Sequence, residues 1–259
     1  MGRGDLKAII LAAGYATRLQ PLTDTVPKQL LPVGGRPLAD WILDKLRETG
    51  VDEIHLVTNA RFAADFEQWA ERKGVRVHDD GTTSNEDRLG AIGDIRFVAE
   101  RAGLDDDLLV IAGDNLFDFQ LTDFVDYWRS KTPGSCLAVY DVGDRELARL
   151  YGVVEVDEDD RVVGFVEKPP APASTLAATA TYLYTREHAA LIPRYLDDGN
   201  PPDQPGNFVA WLYRRAPVYA HRFAGEWHDV GDPAQLLEAD NRMRSRLGLP
   251  LRRTYSLDE

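Results

Sequence analysis

The chain has 259 residues, of which 44% are hydrophobic and 28% are charged, close to ordinary globular usage. This composition excludes a disordered chain, a collagen-like fibre and a coiled coil, and no apolar run approaches the ~20 residues of a membrane span. The net charge of −13 makes nucleic-acid backbones and anionic membranes poor partners. A phosphate-binding site in this chain must therefore be a local concentration of positive charge.

The N-terminus and the cysteine content both bear on the cellular compartment. Residues 1–6 lack the apolar core of a signal peptide. Cys136, the single cysteine, cannot form an internal disulfide, and its place in a predicted strand favours a buried structural thiol over a nucleophile. We therefore expect a cytoplasmic protein.

The first half of the chain alternates apolar strands with amphipathic helices. The first strand, 6–13, is an almost unbroken apolar run, typical of a strand buried on both faces of a parallel sheet. Further strands are predicted over 53–59, 75–78, 108–112 and 135–142, and helices over 37–49, 61–73, 121–130 and within 86–101. This order predicts an α/β protein with a doubly wound, mostly parallel, Rossmann-like sheet.

The pattern changes after about residue 145. An acidic turn at 157–160 separates two predicted strands of a β-hairpin, and Asp232 with Pro233 predicts the start of a helix that ends near Leu247. Strands are also predicted over 180–184 and 217–223, helices over 186–198 and 207–215, and loops over 169–180 and 200–206. We interpret residues 1–259 as one domain with a smaller second lobe.

A positively charged run follows the first strand. Between Gly14 and Arg36 the basic residues are Arg18, Lys28 and Arg36, and the only acid is Asp24. Ligands of doubly wound sheets lie beyond the carboxyl ends of strands, where small residues let backbone N–H groups approach phosphate oxygens. The run contains neither G-x-x-x-x-G-K-[ST] nor G-x-G-x-x-G, so a P-loop and a dinucleotide fingerprint are both excluded.

The sequence of this run, LAAGYATRLQPLTDTVPKQLLPVGGRPL over 11–38, resembles the signature of the sugar nucleotidyltransferases, also called nucleoside-diphosphate-sugar pyrophosphorylases. The stretch from Lys28 to Pro32 is most similar to glucose-1-phosphate thymidylyltransferases. The sequence departs from the signature at Ala16, where the family usually has glycine. The resemblance implies a GT-A-like nucleotidyltransferase domain, with a nucleotide-binding half over about 1–145. A sugar-phosphate-binding half with the second metal ligand would occupy about 146–259.

The resemblance also implies a reaction and its residues. A sugar 1-phosphate would attack the α-phosphorus of a nucleoside triphosphate, with dTTP or UTP expected, and Mg²⁺ would be the cofactor. The residues expected in catalysis are Arg18, Lys28, Asp114, Lys168 and Asp229, of which Asp114 and Asp229 would hold the metal. The residues expected to bind the nucleotide are Leu11, Ala12, Ala13, Gly14, Thr17, Arg18, Asn85 and Gly90. The residues expected to bind the sugar phosphate are Gly152, Glu167, Lys168 and Tyr182.

Two stretches depart from the family and leave alternatives open. Many relatives have Asn-x-Gly just before the tyrosine strand, whereas this chain has Ala178, Thr179 and Ala180, and Asn85 stands where a base-reading glutamine is expected. One alternative is a cytidylyltransferase acting on an inositol or amino-alcohol phosphate. Another is a noncatalytic nucleotide-sensing subunit. The stretch 203–207 either lines the sugar pocket or contacts a neighbouring subunit of a homo-oligomer.

Overall fold

A computed structural model describes residues 5–51 and 53–257, so most of the segment considered for a signal peptide lies outside the described residues. The strands share short, largely buried sequences and are β1 (Leu6–Leu11), β2 (Pro32–Val33), β3 (Arg36–Pro37), β4 (Glu53–Thr58), β5 (Val75–Asp79), β6 (Asp107–Ala112), β7 (Asn115–Phe117), β8 (Ser135–Asp141), β9 (Gly152–Val156), β10 (Val162–Glu167), β11 (Leu176–Tyr184), β12 (Val218–Arg222) and β13 (Trp227–Asp229). The helices that connect them are α1 (Leu38–Glu48), α2 (Ala63–Ala70), α3 (Ala91–Ala102), α4 (Leu121–Lys131), α5 (Arg145–Ala148), α6 (Arg186–Ala189), α7 (Ile192–Asp197), α8 (Pro205–Leu212) and α9 (Pro233–Arg246).

The central sheet is mixed but mostly parallel, which confirms the predicted α/β class. Its strands follow the order β10-β9-β11-β6-β1-β4-β5, with β8 and β12 joined through β11. Strands β6, β1, β4 and β5 run parallel to one another, whereas β11 runs antiparallel to both β6 and β8. The hairpin predicted on either side of 157–160 is the antiparallel pair β9–β10.

Strand β1 is buried on both faces, as its apolar run predicts. Ile9 and Leu11 belong to the hydrophobic core that includes Ile92 and Ile95 of α3. Ala8 and Ile10 point to a second core, which includes residues of α1 and α4. Because successive side chains of a strand alternate between faces, an apolar residue at every position is what two cores require. Cys136 is buried in β8, and burial raises the pKa of its thiol, in agreement with a structural role.

The prediction of a loop over 169–180 is wrong in its last five residues. Strand β11 begins at Leu176, pairs with β8 over 176–178, and contains a register shift before it pairs again at Tyr182. Alanine is a weak strand former, so the sequence 176–180 does not predict a strand by itself. Hydrogen bonding to neighbouring strands decides its conformation.

Several predicted helices are shorter than expected or divided. The helix predicted over 186–198 is two helices, α6 and α7, since Pro193 in the first turn of α7 cannot donate the backbone hydrogen bond of a continuous helix. The predicted loop 200–206 ends early because Pro205 begins α8. The helices predicted over 61–73 and within 86–101 are α2 and α3, and α3 starts only after Gly90. The cap predicted at Asp232 is confirmed, because its side chain accepts from the Gln235 N–H.

The carboxyl ends of β1 and β6 lie side by side and position the loops that follow them. The Gly113 amide donates to the Leu11 carbonyl at 2.8 Å, which holds the turn after β6 against the end of β1. The short antiparallel pair β7–β13 extends this edge. In the part of the chain that the structure describes, none of the helices has the length and apolar character needed to cross a bilayer.

Candidate active site

A cavity of about 320 Å³ opens at the carboxyl ends of β1 and β6. Residues from both halves of the chain line it. Of the residues predicted from the sequence, those in its lining are Leu11, Gly14, Lys28, Asp114, Gly152, Glu167, Lys168, Tyr182 and Asp229. The fold therefore brings the expected sugar-phosphate residues, both expected metal ligands and Lys28 to one cavity. Of the eight expected nucleotide residues only Leu11 and Gly14 line it, and Ala12, Ala13, Thr17 and Arg18 lie outside the lining.

The loop after β1 presents its backbone to the cavity while its ends are tied down. The Asn59 amide donates to the Ala13 carbonyl at 2.9 Å, and the buried Thr23 hydroxyl donates to the Ala16 carbonyl at 3.0 Å. We refer to residues 13–18 as the phosphate loop. Its Gly14, Thr17 and Arg18 are exposed, whereas Ala12, just before it, and Ala13 are buried. The exposed face is therefore available to a polyanionic ligand.

Lys28 and Asp114 form an ion pair at the cavity wall. The Lys28 Nζ lies 2.7 Å from Asp114 Oδ2. Lys28 begins a turn of 3₁₀ helix after Pro27, and it is buried, so its charge is directed inward rather than to solvent. A buried ammonium needs a partner, and Asp114 supplies it.

Asp114 and Asp229 are 115 positions apart in the sequence and are brought together by the β7–β13 pair. Asp229 is paired in register with Asn115, and the Val230 amide donates to the Asp114 carbonyl at 3.1 Å. Burial raises the pKa of Asp229 to about 6, with a further contribution from the negative charge of Asp114. The charges of Lys28, Arg18 and Lys168 oppose that rise. Four of the five predicted catalytic residues therefore line the cavity, and the charge of the fifth, Arg18, acts on Asp229 from outside the lining.

The two carboxylates fit a hard divalent cation. Both supply oxygen atoms as metal ligands. The positive charges of Lys28, Arg18 and Lys168 only partly offset the effects of burial and of Asp114, because the pKa of Asp229 stays raised. Over residues 5–51 and 53–257, the His, Cys, Asp and Glu side chains form no group of three or more that could hold a metal ion. Mg²⁺ commonly binds through one or two carboxylates and completes its octahedron with substrate phosphates and water. Asp114 and Asp229 suit that arrangement.

Another part of the lining is formed around Glu167 at the end of β10. A Cβ atom on Gly152 would lie 2.9 Å from Glu167 Oε2, and one on Gly206 would lie 2.6 Å from the same oxygen. Glycine at both positions therefore makes room for the carboxylate. Burial raises the pKa of Glu167, while the charge of Lys168 lowers it. The buried ring of Tyr182 lies behind this wall.

Asn115 holds three strands around the cavity, a role that the sequence analysis missed. Its side-chain oxygen accepts from Trp227 Nε1 at 3.0 Å, and its amide donates to the Thr179 carbonyl at 2.6 Å. These bonds connect β7 to β13 and to β11. The motif Gly113-Asp114-Asn115 draws attention to the asparagine, but its partners are distant in sequence and cannot be predicted from spacing.

Asn85 and Gly90 lie outside the lining of this cavity. Asn85 is exposed, and Gly90 precedes α3 with a φ of +78°. A Cβ on Gly90 would lie 2.8 Å from the backbone of Pro202, and the Ala91 and Ile92 amides donate to the Asp203 and Pro202 carbonyls. The first turn of α3 is thus capped by the chain segment before α8.

That segment brings an additional polar group to the cavity. Gln204, Pro205 and Gly206 belong to the lining, and Arg88 forms a two-point ion pair with Asp203 at 2.9 and 2.7 Å. The Gln204 Oε1 accepts from the Asn207 amide at 3.3 Å. Within the described segments, the Gln204 Nε2 donates to no protein group, and the residue lines the cavity. The sequence analysis left the position of 203–207 undecided.

The family model that matches this chain and two of its relatives are described as nucleotidyl transferases. A model of the family described as nucleotidyl transferase matches residues 7–246. A UTP–glucose-1-phosphate uridylyltransferase of Synechocystis sp. is 31% identical over 254 residues, covering 93% of this chain and 64% of that protein. A putative mannose-1-phosphate guanyltransferase of Sulfolobus acidocaldarius is 34% identical over 234 residues, covering 88% and 60%.

Solved structures share the fold. A UDP-glucose pyrophosphorylase complexed with UDP-glucose superposes with a TM-score of 0.77 at 23% identity, covering 93% of this chain and 99% of that one. A putative glucose-1-phosphate thymidylyltransferase from Bacillus anthracis gives a TM-score of 0.76 at 24% identity, covering 92% and 95%. The chain spans 64% and 60% of the length of the two relatives above.

Proposed function

This chain belongs to the nucleotidyl transferase family, and we propose that it joins a sugar 1-phosphate to a nucleoside triphosphate, releasing pyrophosphate. The observation that carries the proposal is the convergence of Lys28, Asp114 and Asp229 with Glu167 and Lys168 in the lining of one cavity. Cations beside paired carboxylates suit phosphates and a bound metal ion. The buried Glu167 carboxylate suits hydroxyl groups.

In the proposed reaction an oxygen of the sugar phosphate attacks the α-phosphorus. A P–O bond forms to that oxygen, the bond from the α-phosphorus to the bridging oxygen of the β-phosphate breaks, and pyrophosphate leaves with the electron pair. The attacking phosphate oxygen is already anionic, so no side chain needs to remove a proton. Catalysis then consists of holding two polyanions in line and neutralising their charge.

Each charged residue has a separate task in this scheme. The exposed phosphate loop and Arg18 would bind the triphosphate, since a guanidinium can contact two phosphate oxygens at once. Lys28 would neutralise the departing pyrophosphate, and Lys168 would hold the phosphate of the acceptor. Asp114 and Asp229 would hold Mg²⁺, which neutralises phosphate charge when bound.

The base and the acceptor belong to separate parts of the site. We propose a pyrimidine triphosphate, dTTP or UTP. The named activity of the Synechocystis relative supports UTP, whereas the Sulfolobus relative is named for guanylyl transfer. For the acceptor, Glu167 would accept from sugar hydroxyls, and the Gln204 amide would donate to one.

A second candidate acceptor is a phosphate of a non-sugar alcohol, such as inositol or an amino alcohol. The observation that favours it is the apolar stretch of β11 in the cavity, where Ala178 and Ala180 stand in place of the asparagine and glycine of many relatives. Loss of the asparagine amide removes a hydrogen-bond partner for a sugar hydroxyl, and Ala180 adds bulk in place of glycine, so this wall would fit an acceptor of a different shape from the usual sugar. A purely nucleotide-sensing protein would not need Lys168 and Glu167 beside the metal-binding pair.

The test is pyrophosphate release measured over dTTP, UTP, CTP, GTP and ATP against a panel of sugar 1-phosphates, inositol phosphate and phosphocholine, with and without Mg²⁺. We expect Mg²⁺-dependent release with one pyrimidine triphosphate and one sugar 1-phosphate. Release only with an alcohol phosphate would establish the second candidate. Folded protein that binds a triphosphate but releases no pyrophosphate with any acceptor would contradict both.

A further inference from the structure

A chain of buried hydrogen bonds lies behind the phosphate loop, away from the residues assigned to the reaction. The Tyr15 hydroxyl donates to Thr82 Oγ1 at 3.2 Å, and the Thr82 hydroxyl donates to Asp80 Oδ1 at 2.7 Å. The Thr82 backbone amide donates to the same Asp80 oxygen at 2.7 Å. Asp80 and Asp94 of α3 raise or lower each other's pKa, and Asp80 Oδ2 and Asp94 Oδ1 are both buried oxygens without a hydrogen-bond donor among the described residues. We call these four residues the buried network.

The network is removed from solvent. Tyr15, Thr82 and Asp94 are 8%, 5% and 5% exposed. It connects two walls of the candidate site, because Tyr15 lies between Gly14 and Ala16 of the phosphate loop while Ala91, in the first turn of α3, lines the cavity. The position of the loop relative to α3 therefore depends on the geometry of the network.

The charges around the two carboxyls are mostly negative. Asp203, from the segment before α8, acts on Asp94 together with Asp80, and Asp79 acts on Asp80. At the other end, Tyr15 is influenced by Asp87 and by the cation Arg61. Asp94 is buried and Asp80 is half-buried, so a second negative charge on this pair is strongly disfavoured. One proton shared by the two carboxyls would give both unpartnered oxygens a hydrogen bond.

The hydrogen bonds indicate which group carries that proton. Asp80 Oδ1 accepts two hydrogen bonds from Thr82, which favours the carboxylate form of Asp80. Asp94 must then donate. Burial, followed by the charge of Asp80, raises the pKa of Asp94 to about 8. Asp94 is therefore a neutral donor at neutral pH and begins to lose its proton in mildly alkaline solution.

We propose that the buried network positions the phosphate loop for the triphosphate, and that Asp94 is the positioning residue that completes it by donating to Asp80. This inference rests on the proposed function, because it assigns the loop to triphosphate binding. Loss of the Asp94 proton places two carboxylates against each other. Their repulsion separates Asp80 from α3 and releases Thr82, and with it the hydroxyl that anchors Tyr15.

The experiment measures the dissociation constant of the tightest-binding of the five Mg²⁺–triphosphates by calorimetry from pH 7.0 to 9.5. For the wild type we expect affinity to fall by up to about 30-fold across this range, because the protonated fraction of a donor with a pKa of about 8 falls tenfold for each pH unit above that value. Asp94→Asn keeps a permanent donor to Asp80, so its affinity should stay constant. Tyr15→Phe, which removes only the loop anchor, should bind more weakly at every pH.

Glu86→Gln is the matched control, since it removes one negative charge from an exposed side chain of the same segment. It should follow the wild-type curve. Thermal unfolding of each variant at each pH separates folding from binding. A wild-type affinity that does not change with pH, while Asp94→Asn raises the melting temperature at pH 9, would assign the network to stability alone and overturn the proposal. The proposal would also fail if Asp94→Asn lost affinity in parallel with the wild type.

The proposed function fails in a different way. Wild-type protein that binds none of the triphosphates would overturn both proposals. Triphosphate binding and turnover with a pH-independent dissociation constant would overturn only the role of Asp94.

Discussion

Ala16 carries the phosphate loop through a left-handed backbone conformation, with φ +47° and ψ +41°. This geometry explains the position at which the sequence departs from its family. Glycine adopts such angles without steric cost, whereas the Cβ of any other L-residue crowds a neighbouring carbonyl. Alanine is tolerated here because Thr23 and Leu19 both donate to the Ala16 carbonyl and fix the turn.

Ala16→Gly should therefore stabilise the protein. Removing a left-handed alanine gains about 1–2 kcal/mol, and the extra freedom of glycine in the unfolded chain costs about 0.4–1 kcal/mol, for an expected net gain of about 0.5–1 kcal/mol. Urea unfolding measures the change. Ala173→Gly is the control, since Ala173 is exposed and is not among the residues with positive φ, so this change should destabilise. Equal losses for both variants would contradict the strain at Ala16.

Asp114→Asn tests the metal assignment. The amide keeps a hydrogen-bond acceptor for Lys28 but removes the charge that attracts Mg²⁺, so we expect turnover to fall by roughly 10²-fold or more. Because the buried Lys28 loses its counter-charge, the melting temperature should fall as well, and turnover is compared well below the unfolding transition of the variant. Asp126→Asn, which alters an exposed carboxylate paired with Arg129, should be fully active. Full activity of Asp114→Asn at saturating Mg²⁺ would show that Asp114 is not a metal ligand.

Lys168→Ala tests the acceptor phosphate site. Loss of one charge-assisted contact costs about 1.5–3 kcal/mol, so the KM of the acceptor should rise by about 10- to 100-fold while the KM of the triphosphate changes little. Initial rates with each substrate varied in turn measure both constants. Lys131→Ala, which removes a donor to the Asp159 carbonyl on the surface, serves as the control. An unchanged acceptor KM and kcat would exclude Lys168 from the site.

At the scale of elements, the site depends on contacts between segments that the sequence separates widely. The pair β7–β13 places Asp229 beside the turn that contains Asp114. The segment before α8 caps α3 and inserts Gln204 into the cavity. Neither segment has a strong propensity of its own, because three-residue strands and a Pro-rich loop are stabilised by their partners rather than by local sequence.

Asn115→Leu should show how strongly these elements depend on one side chain. The change leaves the Thr179 carbonyl and the Trp227 indole N–H without their partner, and each unmet group costs about 1–3 kcal/mol, so we expect a loss of about 2–4 kcal/mol. Because β13 also carries Asp229, kcat should fall as well. Ser130→Ala removes an exposed hydrogen bond to the Tyr127 carbonyl and should alter neither. Urea unfolding and pyrophosphate release provide the two readouts.

At the scale of the whole molecule, the acidic surface and the positive site coexist. The chain has a net charge of −13, yet Arg18, Lys28 and Lys168 all act on Asp229. Clustering these cations around one buried carboxylate creates the local positive charge that binding of polyanions requires. The same acidity disfavours adventitious binding of nucleic acids elsewhere on the surface.

The stability of the whole molecule should depend on pH through a buried histidine pair. His55 Nδ1 and His78 Nε2 lie 2.9 Å apart between β4 and β5, and both residues are buried. Burial, with a contribution from the charge on His55, lowers the pKa of His78 to about 4. An unfolded histidine binds its proton near pH 6.5, so between pH 6.5 and 4 the unfolded chain holds more protons than the folded one.

The free energy of unfolding should therefore decrease as the pH falls through that window, by up to about 3 kcal/mol at pH 4 from His78, with no contribution above pH 6.5. Urea unfolding of the wild type and His78→Gln at pH 7.5, 6.0, 5.0 and 4.5 measures the difference. The variant, which cannot titrate at this position, should lose less stability on acidification. Parallel curves for the two proteins would exclude His78 as the source.

The α/β class and the family could both be predicted from the sequence. Both depend on local patterns: the apolar run of β1 can be buried only between two layers, and the motif from Leu11 to Leu38 is contiguous. The positions of Arg18, Lys28, Asp114, Lys168 and Asp229 could be predicted for the same reason. Their roles in metal binding and transfer stay predictions, although four of them line one cavity and the charge of the fifth, Arg18, acts on Asp229.

The remaining features of the fold and of the site depend on contacts in the tertiary structure. In the folded chain, β11 begins at Leu176 and residues 186–198 form two helices. The Asn115 side chain hydrogen-bonds to a neighbouring strand. Tyr15, Thr82, Asp80 and Asp94 come together as the buried network. The fold also brings Gln204 into the cavity. The physical reason is common to all of these features. A hydrogen bond or a buried charge pair depends on which distant groups the fold makes neighbours, and neither residue type nor spacing along one segment encodes that choice.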